Sequence, residues 1–290
     1  MSRHSVIARR AESLLDAAVV ATAPVAGGDI CTATKLRLSD GSTALFKTLS
    51  PAPAGFFERE AAGLRWLGEA SGGVDVPEVL AVAADCLILR WIEPGRAGDD
   101  DAAAFGRALA ATHASGAPGF GGFDGSGADG FIGTLPLPQR PTPTWAEFFA
   151  VRRVLPYAKL ARDRGALEPA ESAAIDQLIG RLTILLPEEP PARLHGDLWN
   201  GNVVWDATGT AWVIDPAAYG GHREMDLAML SLFGLPHLPR VIEGYQDVAP
   251  LADGWEDRLA LHQLFPLLAH ACLFGGGSGA RAAAAAQRYL

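Results

Sequence analysis

The sequence predicts an α+β protein: a small antiparallel sheet in roughly the first ninety of its 290 residues, then a larger, mainly helical part. Three observations carry this. Residues 31–38 and 43–49 alternate in strand fashion around Ser39-Asp40-Gly41-Ser42, a hairpin signal. Beyond residue 100 the apolar residues recur mostly at helical spacing. The length suffices for two lobes with cores, and 49% hydrophobic with 20% charged residues is a globular composition.

Residues 3–20 read as a helix. The stretch 17–27 is faintly signal-like, but Glu12 and Asp16 stand just ahead of it and Pro24 breaks it. The hairpin follows, then a loop over 51–55. Phe57, Ala61, Leu64 and Leu67 give 56–69 a helical period, and 79–83 and 86–92 read as two more strands. Glu93-Pro94-Gly95 closes this half, so the chain divides into 1–92 and 93–290. Asp99, Asp100 and Asp101 open a helix over 100–113, where negative charge is favourable. Residues 115–143 are rich in Gly and Pro, yet Phe120, Phe123, Phe131 and Ile132 make them too apolar for a free linker, so an ordered loop is expected. Helices are expected over 145–164, 169–186, 223–232, 255–273 and 280–290, with short strands at 203–205 and 212–214.

A net charge of −9 argues against nucleic acid as a partner and against anionic membranes. No apolar run reaches membrane-spanning length. Cys31, Cys86 and Cys272 lie far apart, which fits a reducing cytoplasm and not a zinc cluster or disulfide framework. Only Lys35, Lys47 and Lys159 are lysines, so a function needing an ammonium point charge has few candidates.

The chemistry gathers in His195-Gly-Asp-Leu-Trp-Asn-Gly-Asn202 and in Val213-Ile214-Asp215-Pro216. Phosphoryl transfer from ATP needs a carboxylate beside the acceptor hydroxyl, and an amide and a carboxylate to hold Mg²⁺ on the phosphates. Asp197, Asn202 and Asp215 supply these types, at the spacing of a protein-kinase catalytic loop and its metal-binding Asp. Lys47, on the second hairpin strand, and Glu60, on the helix after it, would form the phosphate-bridging pair. Gly27-Gly28 ahead of the first sheet strand would let backbone N–H groups approach phosphate. His195 reads as a structural support of the catalytic loop, since Asp197 already fills the base role. His222 and Asp226 read as braces of the segment after Asp215, while His4, His113, His237 and His262 have no companions in sequence that suggest chemistry.

These two segments, with Asp215-Pro-Ala-Ala-Tyr-Gly-Gly-His-Arg-Glu224, resemble the fructosamine kinase (ketosamine-3-kinase) family of protein-kinase-like small-molecule kinases. H-G-D-x-x-x-x-N alone is shared with aminoglycoside and choline kinases; the Trp after H-G-D-L and the D-P-A…Y-x-G-H-x-E run are more specific. Phe46-Lys47, Glu60 to Leu64, Phe131-Ile132-Gly133, Trp145 with Phe148-Phe149, and Gln263-Leu264-Phe265 with His270 fall in family order, so the likeness spans nearly the whole chain. The resemblance implies a bilobal fold with ATP in the cleft and Mg²⁺ as cofactor. It implies Asp197 as base, Asn202 and Asp215 as metal ligands, Lys47 and Glu60 as the phosphate pair, and Gly27 and Gly28 as phosphate loop. It further implies the backbone of Arg90, Trp91 and Ile92 as adenine hinge, and Trp199 and His270 as sugar-holding residues. Arg90 departs from the Glu common at the hinge. Asp29 stands where some relatives carry a redox cysteine, for which Cys31 is a poor substitute.

The implied acceptor is a small ketosamine or other glycated amine, free or on a protein, phosphorylated at a sugar C3 hydroxyl by a cytoplasmic monomer. The 3-phosphate would break down to release the amine. The rivals are a kinase of another small hydroxylated amine, such as an aminoglycoside or choline, and a nucleotide-binding pseudokinase, against which every catalytic position is filled. A metal hydrolase built on His195, Asp197 and Asp215 lacks further ligands.

Overall fold

The computed structural model describes residues 3–26, 28 and 30–290; Gly27 and Asp29, two positions of the expected phosphate-loop region, lie outside the described residues. The N-terminal part is a five-stranded antiparallel sheet in the order β1-β2-β3-β5-β4. Its strands are β1 (Val19–Val25), β2 (Thr32–Leu38), β3 (Thr43–Thr48), β4 (Val79–Ala83) and β5 (Cys86–Arg90), accompanied by helices α1 (Arg3–Leu15) and α2 (Phe56–Gly68). The β2–β3 turn forms as its residues require: Gly41 takes a φ of 87° and Asp40 Oδ1 accepts the Ser42 N–H at 2.8 Å. Strand alternation sends Leu36, Phe46 and Ile88 toward Ile7 and Ala11 of α1. It sends Leu45, Leu87 and Leu89 toward Phe57 and Leu64 of α2. Lys47, two residues from Leu45, therefore faces α2.

The expected helix over 3–20 ends at Leu15, and 19–25 is an extra strand. Asp16 adopts a left-handed φ of 51°, and Glu12 Oε1 accepts the Val19 N–H at 2.9 Å, which redirects the chain. Pro24 is tolerated because β1 is an edge strand.

Helix α3 (Asp99–Ala114) begins the larger part, with the Asp101 carboxylate accepting the Gly98 N–H at 2.8 Å. The expected ordered loop over 115–143 is ordered but contains a hairpin, β6 (Gly130–Ile132) and β7 (Leu135–Leu137). Next come α4 (Trp145–Phe148), a π-helical stretch Phe149–Val154, and α5 (Leu155–Asp163). The wide turn falls where Pro156 has no N–H to give, and the Leu155 N–H reaches back to Ala150 O. The chain continues through α6 (Pro169–Ile179), α7 (Leu182–Leu185), β8 (Ala192–Leu194), β9 (Val203–Trp205), β10 (Ala211–Val213) and β11 (Tyr219–Gly221). It ends with α8 (Glu224–Phe233), α9 (Leu238–Val248), α10 (Trp255–His262), α11 (Leu264–Phe274) and α12 (Ser278–Gln287). The single helices expected over 169–186 and 255–273 each divide in two, and α9 was not expected. It packs so closely on α3 that a Cβ on Gly244 would lie 2.1 Å from Ala103 O. Among the described residues no helix is long and apolar enough to cross a membrane.

Candidate active site

Two short antiparallel ribbons, β8 with β11 and β9 with β10, frame the two motif segments below the large sheet. Lys47 comes down from β3. Its Nζ lies 2.5 Å from Glu60 Oε1 on α2 and 2.7 Å from Asp215 Oδ1, just beyond β10. Burial disfavours the ammonium, but the charges of Asp215 and Glu60 outweigh it and hold the Lys47 pKa above its ordinary value. Asp215 is the least buried of the three, with 40% of its side chain open to the cleft. It is held at a φ of 56°, a backbone conformation that a non-glycine residue adopts at a cost.

The segment 195–202 is built on backbone contacts. Gly196 has a φ of 81°, and a Cβ there would lie 2.2 Å from Ala217 O. The buried Asp226 carboxylate accepts the N–H groups of His195 at 2.8 Å and Gly196 at 2.9 Å, and meets His113 Nε2 at 3.2 Å. Asp226 thus braces the Asp197 segment itself, not the stretch after Asp215 as expected from sequence. His195 Nδ1 accepts the Asp197 N–H at 3.2 Å and Nε2 meets Ile214 O at 2.8 Å, so both ring nitrogens serve to hold the loop. Burial and the Asp215 charge push the Asp197 carboxyl up to about 7, against the hydrogen bond from Asn202. A carboxylate so placed is suited to take a proton near neutral pH.

Asn202 donates its amide nitrogen to Asp197 O at 2.8 Å and Asp197 Oδ2 at 3.2 Å. That leaves its amide oxygen, with the Asp215 carboxylate, as the hard oxygen donors a divalent cation takes, so the residues present fit Mg²⁺.

Lys47, Glu60, Asp197, Asn202 and Asp215 all border one cleft of about 710 Å³. Gly28, Arg90, Trp91 and Ile92 line it from the sheet side, and Trp199 and His270 from the helical side. The Trp91 N–H is spent on Thr43 O at 3.2 Å, and the Arg90 side chain on Glu78 at 2.8 Å. The Arg90 guanidinium is thus already paired. Cys31 also lines the cleft, but burial pushes its thiol up to about 11, which leaves little thiolate at neutral pH. Two aromatic lining residues escaped the sequence reading. Phe233, at the end of α8, sits 6.0 Å from both Trp199 and His270, and Phe274, at the end of α11, sits 4.7 Å from His270.

His222, Glu224 and His262 form a buried cluster behind the cleft wall. His222 Nδ1 accepts the Glu224 N–H at 3.2 Å, and His262 Nε2 accepts the Trp145 indole N–H at 3.2 Å. The opposite nitrogens therefore carry protons, and these make no hydrogen bond, with Glu189 and Glu224 lying 3.6 and 3.4 Å away. They have no lone pair to offer a metal. His113 and His262, solitary in sequence, thus have partners, and these partners are structural.

The sheet over a helical half, with a cleft carrying Lys–Glu and Asp/Asn/Asp, defines a small-molecule kinase of the protein-kinase-like fold. An ADP-bound aminoglycoside phosphotransferase shares that fold at a TM-score of 0.64 and 14% identity, with 99% of each chain covered. The sequence model of the fructosamine kinase family matches residues 4–290, and the chain belongs to this family. A probable ketoamine kinase of Thermus thermophilus is 38% identical over 258 residues, 88% of each chain. One from Enterococcus faecium is 36% identical, over 89% of this chain and 91% of the relative. A provisionally named fructosamine-3-kinase from Thermobifida fusca superposes with a TM-score of 0.90 at 44% identity, covering 97% of both chains. The protein is accordingly a phosphotransferase acting on a hydroxyl group.

Proposed function

We propose that the protein transfers the γ-phosphoryl group of ATP, with Mg²⁺, to the C3 hydroxyl of a small ketosamine such as a fructosamine or ribulosamine. The observation that carries this is the convergence of Asp197, Asn202, Asp215 and Lys47 on one cleft whose far wall holds Trp199 and His270. Asp197 takes the proton of the acceptor hydroxyl as its oxygen bonds to the γ-phosphorus. The bond from that phosphorus to the β–γ bridging oxygen breaks, and ADP leaves with the electron pair. Lys47, held by Glu60, places its ammonium against the phosphates. Asn202 and Asp215 hold the cation, which when bound offsets charge on the transferred group. Gly28 and the backbone of Arg90 to Ile92 border the nucleotide. Trp199 offers a π-face to the C–H face of the sugar chain and to its ammonium. The 3-phosphate would then break down and free the amine, a deglycation suited to the cytoplasm.

The test is ATP turnover against ketosamines, aminoglycosides and choline. Phosphorylation of a ketosamine at C3, with Trp199→Ala raising KM for it far more than for ATP, is expected. Phosphorylation of an aminoglycoside with none of any ketosamine would replace this acceptor while leaving a kinase. Nucleotide binding with no turnover of any acceptor would mean a pseudokinase.

A further inference from the structure

Trp199, Phe233 and Phe274 are the large aromatic side chains that stay exposed among the described residues, at 37%, 39% and 49%. All three line the cleft that holds Asp197. Aromatic surface of this kind stays uncovered at a cost unless a ligand uses it. With His270 it forms a row: Trp199 to Phe233 at 6.0 Å, Phe233 to His270 at 6.0 Å, His270 to Phe274 at 4.7 Å. The row starts two residues from Asp197 and ends at Phe274, its most exposed member at 49%. His270 Nδ1 is bound to Ser278 Oγ at 3.1 Å, which fixes its ring within the row.

The charges of the cleft bear on the amine as well. Its carboxylates, among the described lining residues, are Glu60, Asp197 and Asp215. Glu60 and Asp215 share Lys47. The lining arginines are taken as well, Arg59 by Asp124 and Arg90 by Glu78. Asp197 alone lacks a cationic partner. One ammonium near the reacting hydroxyl is matched by Asp197, whereas a second one farther out would meet only the weak attraction of exposed Phe faces and no carboxylate.

We propose that Phe233, His270 and Phe274, continuing from Trp199, form the subsite for the amine half of the acceptor. The subsite selects ketosamines of apolar, preferably aromatic, monoamines over those of diamines and polyamines. This rests on the ketosamine reading above and adds which ketosamines are used.

The experiment compares the 1-deoxyfructosyl ketosamines of phenethylamine, ethylamine and 1,4-diaminobutane as acceptors for the wild type, Phe274→Ala and Phe233→Ala. The phenethylamine adduct should have the lowest KM, by roughly tenfold or more against the diamine adduct, the range a hydrophobic pocket provides. In either variant the KM ratio between ethylamine and phenethylamine adducts should collapse toward one. Phe274 is half exposed at a helix end, so its replacement leaves the core intact, and Phe233→Ala repeats the measurement on a separate helix. Equal KM values for the three adducts, preference for the diamine adduct, or an unchanged ratio in both variants overturns the subsite while the ketosamine kinase stands. Absence of turnover with all three overturns both.

Discussion

Asp197 meets two demands at once. It must be near an acceptor hydroxyl, and it must be basic enough to receive a proton at neutral pH. Burial and the neighbouring Asp215 charge supply the second, by raising its pKa to about 7. The first follows from Asp226, which fixes the two preceding N–H groups. Asp197→Ala should lower the rate by about 10²–10⁴-fold, the usual loss for a positioned base. Nucleotide affinity, followed by calorimetric titration, should stay close to wild type; near wild-type turnover would remove Asp197 from the mechanism. Gly201 has a different task. A Cβ there would lie 2.3 Å from the Trp199 ring, which rests against this backbone. Gly201→Ala should displace the ring and raise KM for the acceptor more than for ATP; equal rises would mean that the ring has no acceptor to hold. Asp197, Asn202 and Asp215 were legible in sequence because motif spacing specifies them. Phe233 and Phe274 were not, since an aromatic residue at the end of an apolar helix reads as core until the neighbouring helix is placed.

At the scale of elements, β11, α8 and α10 enclose charges that must stay in fixed states. His222 and His262 are fully buried. Burial, with the Arg258 charge, pushes His222 down to about 4 and His262 well below its ordinary value. A histidine whose folded pKa lies below its unfolded value of about 6.5 binds more protons when unfolded across that interval. Its contribution to stability is complete above pH 6.5 and is lost as pH falls toward 4. Each such histidine adds up to about 1.4 kcal/mol per pH unit to the slope. His222→Asn keeps an acceptor near the Glu224 N–H and removes the titrating ring. Its thermal midpoint should fall less steeply than that of the wild type between pH 6.5 and pH 4.5; parallel curves would place the acid lability elsewhere. This cluster shows where element-level reading stops. The period-2 and helical signals located β2 to β5 and most helices. They missed β8 and β11, three residues each, because a ribbon that short has no periodicity of its own and exists through its partner. They missed β1 because Pro24 argues against a strand until the edge position is known.

The sheet and helical halves meet through apolar packing, such as Trp66 and Leu67 on Phe123 and Ala218, and through a few polar contacts, and the ligand belongs at the same seam. Lys47 reaches from β3 to Asp215, 168 residues away, and Arg59 of α2 binds Asp124 and the carbonyls of Ala128 and Asp129. The two-part architecture was legible because an antiparallel hairpin and long helical periods occupy separate stretches of chain. The closeness of β3 to Asp215 was legible only through the motif, since no local signal links residues so distant. A nucleotide with Mg²⁺ that touches both halves should stabilise them together, by about 2.7 kcal/mol at a hundredfold excess over Kd. Asp215 brings a full charge to the cation and Asn202 only a dipole. The increment in thermal midpoint that Mg²⁺ adds to ATP alone should therefore fall more in Asp215→Ala than in Asn202→Ala. Asp215→Ala also strips Lys47 of one carboxylate, so the ligand-free midpoint will drop as well, and the increment within each variant is the quantity to compare. Chelation should abolish both the increment and turnover. A wild type that turns over fully in excess chelator, or a Mg²⁺ increment that survives Asp215→Ala intact, would remove Asp215 from the metal site and leave its pairing with Lys47 as its role.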